Sequence, residues 1–356
     1  MHDASRPVPH EPSREPAAIL LDCDTGIDDA LALIYLCSQP HVELVAVTST
    51  PGNVAAEQVA RNNLALLELC GRADTPVAIG ARSPLRVPLV TTPETHGPQG
   101  IGYAELPAAR RTHHARDAVE LWVEAARARP GELTALLTAP LTNFALALRA
   151  EPRLPELLRR TVIMGGSYYY QGNTTPTAEW NTHVDPHAAA EVFAAFAGQP
   201  EERLPIVCAL ETTERIELHP RHVAALAEAA GCAEPELVLP DQPEGLRSRA
   251  SNPLVRHMSD MLRFYFEFHR RYDQGYAAHI HDYFAASVAA DSAWYETRAA
   301  TVHVETQAPR LLGTTVADYR GLWGEPATAR IVSGNRPDEA FAELVLSVGA
   351  LARRLG

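Results

Sequence analysis

The sequence predicts an α/β protein: an open, mostly parallel, Rossmann-like sheet with helices on both faces. Three observations carry that prediction. Apolar runs of strand length alternate with helix-length segments from residue 17 onward. The runs are nearly unbroken, as strands covered on both faces are. The links between them are short, and a β-α-β-α-β order with short links implies parallel strands.

Ala17 to Asp22 reads as a buried strand and Asp28 to Cys37 as the helix after it. Glu43 to Ser49 is a second buried strand, followed by Thr50-Pro51-Gly52-Asn53 and a helix from about Val54 to Leu69. Pro76 to Ile79 is a short third strand. Gly80 to Ala109 has little regular pattern, and a loop of that length in a compact domain is often functional. Arg116 to Ala128 is a helix, Glu132 to Thr138 a strand, and Leu141 to Leu148 a helix. Thr161 to Met164 is a strand ending in Gly165-Gly166, and Ser167 to Thr182 is irregular. Asp185-Pro186 opens a helix, with Asp as N-cap and Pro in the first turn. Leu204 to Ala209 is a strand. Helices follow to about Tyr272, one of them aromatic-rich from Pro253, and another covers Asp282 to Ala290. Thr301 to Ser333 alternates as strands of an edge hairpin, and a last helix reaches Arg353. There is no internal repeat and no long linker, so residues 17–356 read as one domain. Residues 1–16 are rich in Pro, His and mixed charge, and read as a disordered tail.

The composition, 46% hydrophobic and 21% charged over 356 residues, is that of a globular chain with a large core. A net charge of −13 argues against nucleic acid as a partner. No segment approaches the length of a membrane span. The five cysteines are odd in number, form no CxxC motif and lie mostly in apolar segments. They read as reduced thiols of a cytoplasmic protein. All 31 cationic side chains are arginine.

One stretch stands out. In Asp22-Cys23-Asp24-Thr25-Gly26-Ile27-Asp28-Asp29, four carboxylates fall within eight positions, between two core segments. Like charges so close repel, and burial worsens the repulsion. A hard divalent cation with oxygen ligands would resolve it. In open parallel sheets ligands bind beyond the carboxyl ends of the strands. There the sequence places the acidic stretch, then Asn53, then Thr138 and Asn143, then Met164 with Asn173, Glu179 and Asn181, and finally His279, His281 and Asp282. Amides and carboxylates with little positive charge suit the hydroxyls of a sugar better than a phosphate, which would want cations or a glycine-rich helix start.

These segments together resemble the inosine–uridine nucleoside hydrolase family. The resemblance lies in Asp22-x-Asp24-x-x-x-Asp28-Asp29, Thr48-Ser49-Thr50-Pro51-Gly52-Asn53, Thr138-Ala139-Pro140-Leu141-Thr142-Asn143, Met164-Gly165-Gly166, Asn173 through Ala178-Glu179-Trp180-Asn181 with Asp185-Pro186, and His281-Asp282, in order and spacing over residues 17 to 350. It implies the nucleoside hydrolase fold, one bound Ca²⁺ and hydrolysis of ribonucleosides to free base and ribose. The implied metal ligands are Asp24, Asp29 as a bidentate carboxylate, the Thr138 carbonyl and Asp282. Asp24 would also be the general base on a metal-bound water. Asp28, Asn53, Glu179 and Asn181 would grip ribose hydroxyls, and Met164 and Asn173 would line the pocket near the 5′ end. His281 would assist the departing base, and Asp22 would support the ligands from behind. The resemblance also implies a homotetramer or homodimer.

Tyr283 stands where family members usually have proline after His-Asp. Base contacts are open to His96, Trp180, Tyr168, Tyr169, Tyr170, Tyr272 and Tyr276; the last two, four apart, would share a helical face. The rival enzyme class is a haloacid-dehalogenase-type phosphatase. It would use Asp22 as nucleophile, Asp24 as acid/base, and Mg²⁺. Thr25 sits one position early for that signature, and no lysine is present to balance a phosphate.

Overall fold

The computed structural model describes residues 7–356. Its strands are β1 (Val8–His10), β2 (Ala17–Cys23), β3 (Val42–Ser49), β4 (Val77–Ile79), β5 (Leu133–Leu137), β6 (Arg160–Met164), β7 (Ile206–Cys208), β8 (Glu217–Leu218), β9 (Ala278–His279), β10 (Tyr295–Val304), β11 (Thr315–Asp318) and β12 (Ala329–Asn335). One sheet has the order β1-β10-β12-β7-β6-β5-β2-β3-β4, with β11 added on β10, and β8 pairs with β9 separately. From β12 to β4 every neighbouring pair is parallel. β1 and β11 lie antiparallel to β10, and β10 antiparallel to β12.

The central strand β2 is buried along all seven residues. Successive side chains of a strand point to opposite faces. Accordingly Ile19 and Leu21 join one core and Ala18 and Leu20 the other. The first core is closed by helices Ile27–Ser38, Ala56–Leu69, Pro253–Arg271, His281–Ala289 and Pro337–Leu355, and the second by Ala118–Ala128, Thr142–Ala150 and Pro186–Ala195. Helix Ile27–Ser38 is buried at all twelve positions. After Asp28 and Asp29 it is apolar on nearly every side because it lies between the sheet and other helices. Asp185 caps its helix by accepting from the Ala188 N–H at 3.0 Å, and its second oxygen takes Thr142 Oγ1 at 2.7 Å and the Leu85 N–H at 2.8 Å, tying three segments together.

The structure departs from the sequence reading in three places. Residues 1–6 of the expected tail lie outside the described residues, but Val8–His10 forms a strand on the sheet edge. Pro9 is tolerated there because an edge strand can leave a backbone group unpaired. The arm is held by Asp291, which accepts from His10 Nε2 at 2.6 Å, from Arg160 Nη1 at 3.2 Å and from Ser13. Second, β11 forms the expected edge hairpin with β10, but β12 inserts beside β7 and extends the parallel sheet. Third, the long helix stops at Arg271, with Tyr272 as C-cap, and Asp273 and Gly275 turn the chain with φ of 57° and 86°. Tyr272 and Tyr276 therefore do not share a helical face.

Burial works against ionisation of Asp291, yet hydrogen bonds from His10 and Ser13 and the Arg160 charge prevail and hold its carboxyl below the ordinary 3.8. A carboxylate with a depressed folded-state pKa stabilises the fold above its unfolded value, and the contribution fades as pH falls through the depressed value. Asp291→Ala is expected to cost about 1–3 kcal/mol of unfolding free energy near neutral pH. The gap between variant and parent should close in acid, as urea melts at a series of pH values would report.

Candidate active site

From β2 the chain steps outward to β3 and β4, then returns to place β5 on the other side of β2. The sheet order reverses between β2 and β5, and such a switch point opens a crevice at the strand ends. A cavity of about 380 Å³ lies there. It is lined by Asp24, Asp28, Asn53, His96, Thr138, Met164, Asn173, Glu179, Asn181, His281 and Asp282. Asp29 sits just beneath it: one oxygen accepts from Thr138 Oγ1 at 2.7 Å, and the other from the Gly26 N–H at 2.8 Å.

Carboxylates make the floor. Asp28, Asp29 and Asp282 each offer an oxygen within 4.8 Å of the others, and all three are buried. The compact trio thus includes Asp28, which the resemblance places on the ribose, while Asp24 stands at its margin, accepting from the Asn53 N–H at 2.8 Å. Burial, then the charge of Asp29, raises the pKa of Asp28 to about 8. The same two causes hold Asp24 well above the carboxylate range. Burial, then Asp28, Asp29 and Asp24, does so for Asp282. No arginine lines the cavity, so no cationic side chain of its lining offsets this charge. The donor set is all oxygen and the groups are packed together, so the residues fit a hard divalent ion. Gly52 and Gly26 permit the arrangement: a Cβ on Gly52 would run into the Asp24 carboxylate, and one on Gly26 would lie 2.6 Å from Asn53 Nδ2.

Asp22 has a different place. It is not among the cavity-lining residues, and its carboxylate accepts from Thr48 Oγ1 at 2.5 Å, Thr50 Oγ1 at 2.8 Å and Asn143 Nδ2 at 2.9 Å. Burial lifts its pKa to about 6, against the pull of these three bonds. A nucleophile needs a lone pair aimed at substrate, and here the donors take both oxygens. The phosphatase alternative is thereby withdrawn, and Asp22 with Asn143 is a brace under the strand ends.

The side wall carries amides. Asn181 Nδ2 donates to the Thr138 carbonyl at 3.0 Å and to the Met164 carbonyl at 3.2 Å. Glu179 caps the short helix Trp180–Val184, accepting from the N–H groups of Asn181, Gly166 and Thr182 at 2.8 to 3.0 Å. Asn173 Oδ1 takes the Trp180 N–H at 2.9 Å. Asn53 Oδ1 is buried without a partner, an acceptor suited to a sugar hydroxyl.

Histidines and aromatics form the far wall. His96 arrives on a short helix, Pro93–His96, inside the loop that the sequence leaves irregular. Its Nδ1 accepts from the Ile27 N–H at 3.1 Å, and burial, with His269 nearby, pushes its pKa down to about 3. His281 Nδ1 lies 2.8 Å from Thr213 Oγ1. Burial, then the neighbouring His279, His269 and His96, keeps His281 neutral. Trp180 and Tyr272 also line the cavity. Tyr168 is buried in the second core, Tyr169 and Tyr170 face outward, and Tyr276 packs on Phe266. The sequence reading missed Thr213, Tyr265, Phe268, His269 and Gln274. Their segments read as ordinary helix or loop, and only the Tyr265-x-x-Phe268-His269 spacing, on one face of a helix, could have hinted at them.

An acidic pocket with an amide wall at a sheet's switch point suits a hydroxyl-rich ligand such as a sugar. The chain belongs to the inosine–uridine preferring nucleoside hydrolase family, whose model matches residues 19–342. It is 36% identical over 331 residues to the pyrimidine-specific ribonucleoside hydrolase RihA of Enterobacter sp. (strain 638), covering 92% of this chain and 96% of that one. Identity to the protein of the same name from Shewanella sp. (strain ANA-3) is 34%, over 89% and 91% of the two chains. Among solved structures, the purine-preferring ribonucleoside hydrolase from Gardnerella vaginalis superposes with a TM-score of 0.83 at 25% identity, covering 95% of this chain and 99% of that one. The plant nucleoside hydrolase PpNRh1 gives 0.81 at 25% identity, over 94% and 99%. No helix among the described residues is long and apolar enough to cross a membrane.

Proposed function

We propose that the protein is a calcium-dependent ribonucleoside hydrolase acting on pyrimidine nucleosides. The observation that carries the reading is the set of buried carboxylates with no cation beside them, faced by the unpartnered Asn53 Oδ1. The pyrimidine preference is supported by two relatives, at 36% and 34% identity, that are named pyrimidine-specific. Calcium would be held by Asp24, both oxygens of Asp29, the Thr138 carbonyl and Asp282. Bound there, it would supply a Lewis acid that lowers the pKa of a nearby water. Asp28, with its carboxylate in the same trio, serves the sugar side of that site.

Asp24 takes the proton of the attacking water, whose oxygen bonds to the anomeric carbon as the carbon–nitrogen bond breaks. The bonding pair leaves with the base, whose proton comes from solvent while the His281 Nε2–H hydrogen-bonds to it and stabilises its developing charge. His281 can do this as a neutral imidazole when Thr213 donates to Nδ1 and leaves the proton on Nε2. The sugar passes through an oxocarbenium-like state, which nearby carboxylates favour. Asn53, Glu179 and Asn181 hold the ribose hydroxyls, Met164 and Asn173 close the 5′ side, and His96 stands on the base side. A reducing-sugar assay over purine and pyrimidine nucleosides tests the reading: ribose is expected from uridine or cytidine, and release from purines alone would overturn the preference.

The reading extends to place and assembly. Five unpaired cysteines favour the cytoplasm. Exposed Tyr169, Leu322 and Trp323 favour a homodimer or homotetramer, which sedimentation velocity would test.

A further inference from the structure

The far wall of the cavity holds four histidines, and what each Nδ1 touches sets its tautomer. His269 Nδ1 lies 2.9 Å from the Tyr265 carbonyl oxygen, and His279 Nδ1 lies 2.9 Å from that of Glu214. A carbonyl oxygen only accepts, so both Nδ1 atoms carry the proton and both Nε2 atoms keep a lone pair. His96 is the opposite case. The Ile27 N–H donates to its Nδ1, so its proton sits on Nε2. The rings of His269 and His279 stand 5.0 Å apart between centres, and both line the cavity. Burial pushes the His269 pKa down to about 4, which keeps its lone pair free at neutral pH. The wall therefore presents two adjacent acceptors. The His96 Nε2–H and the Gln274 amide, both donors, and the Glu214 carboxylate, a further acceptor, line the same cavity.

Acceptors in a cavity are satisfied by an N–H, and a base edge that lacks one leaves them desolvated and unpaired. An oxo–imide edge, a ring N–H between carbonyl oxygens, carries both kinds of group: its N–H suits the histidine lone pairs and its oxygens suit the donors. Resting on the hydrolase reading above, we propose that His269 and His279 determine specificity by accepting from the base, and that the preferred substrates are nucleosides with a uracil-type oxo–imide edge. Phe268 and Tyr265, on the same helix, supply the apolar faces beside that edge.

The test compares kcat/KM for uridine, 3-methyluridine and 5-methyluridine by ribose release. Methylation at N3 removes the donor, while methylation at C5 leaves it. The expected result is a loss of about 100-fold or more for 3-methyluridine, with 5-methyluridine within about fivefold of uridine. In His269→Phe and His279→Phe the ring keeps its bulk and loses the lone pair, so the preference for uridine over 3-methyluridine should shrink by about tenfold in each. Equal cleavage of uridine and 3-methyluridine by the parent enzyme overturns the inference, as does an unchanged preference in both folded variants. The parent comparison decides even if the variants do not fold. Ribose from cytidine but not uridine defeats the inference while leaving the hydrolase reading intact. Ribose from no nucleoside defeats both.

Discussion

Asp24→Ala is expected to lower kcat for nucleoside hydrolysis by about 10³-fold or more with the fold retained. General-base assistance alone contributes about 10²–10⁴-fold, and the same carboxylate is one of the groups assigned to the cation. The fold should survive because two effects oppose each other. The substitution strands the Asn53 N–H that Asp24 now accepts at 2.8 Å, a cost of about 1–3 kcal/mol. It also removes one of four buried carboxylates whose mutual repulsion holds their pKa values up. Ribose release and a thermal melt on the same preparation separate the outcomes. Near-parental turnover would take the general-base role away from Asp24. A collapsed melt would make Asp24 a structural residue first.

Removing the cation should be as damaging and, unlike the substitution, reversible. Dialysis against a chelator is expected to abolish ribose release, and Ca²⁺ should restore it better than Mg²⁺. Carboxylates and a carbonyl drawn from distant parts of the chain suit an ion that accepts six to eight oxygens in flexible geometry, whereas Mg²⁺ demands near-octahedral order. The chelated protein should also melt earlier. A ligand at 100 times its Kd stabilises the folded state by about 2.7 kcal/mol, and without it Asp28, Asp29 and Asp282 are left within 4.8 Å of one another. Asp282→Asn should blunt the calcium-dependent rise in melting temperature. Full activity after exhaustive chelation would defeat the metal assignment.

Much of the fold was legible because its signals are local. The unbroken runs at Ala17–Asp22 and Glu132–Thr138 show strands covered on both faces, and Asp185-Pro186 marks a helix start by cap chemistry alone. The floor of the site was legible for the same reason: Asp24, Asp28 and Asp29 lie within one turn of chain, and their crowding is visible without coordinates. The split between Asp22 and Asp24 is less evident, since only tertiary neighbours such as Asn143 show which carboxylate is a brace. Thr213 left no trace, because a hydroxyl in a short helix gains meaning only when His281 arrives from 68 residues away. The arm at Val8–His10 was missed because its prolines suggest disorder, while its order depends on Asp291 at the far end of the chain.

The cavity's two halves have different foundations. The carboxylates and Asn53 are rooted at sheet ends and braced by Asp22 and Asn143, whereas the wall proposed for the base comes from the segment Thr92–His96, the end of one long helix and the turn after it. Chemistry and taste are thus inherited on separate parts of the molecule. A lineage can exchange one nucleobase for another by rewriting the outer segments, provided His281 on that wall and the carboxylate floor stay in place. For an engineer the same partition draws the border of a mutant library.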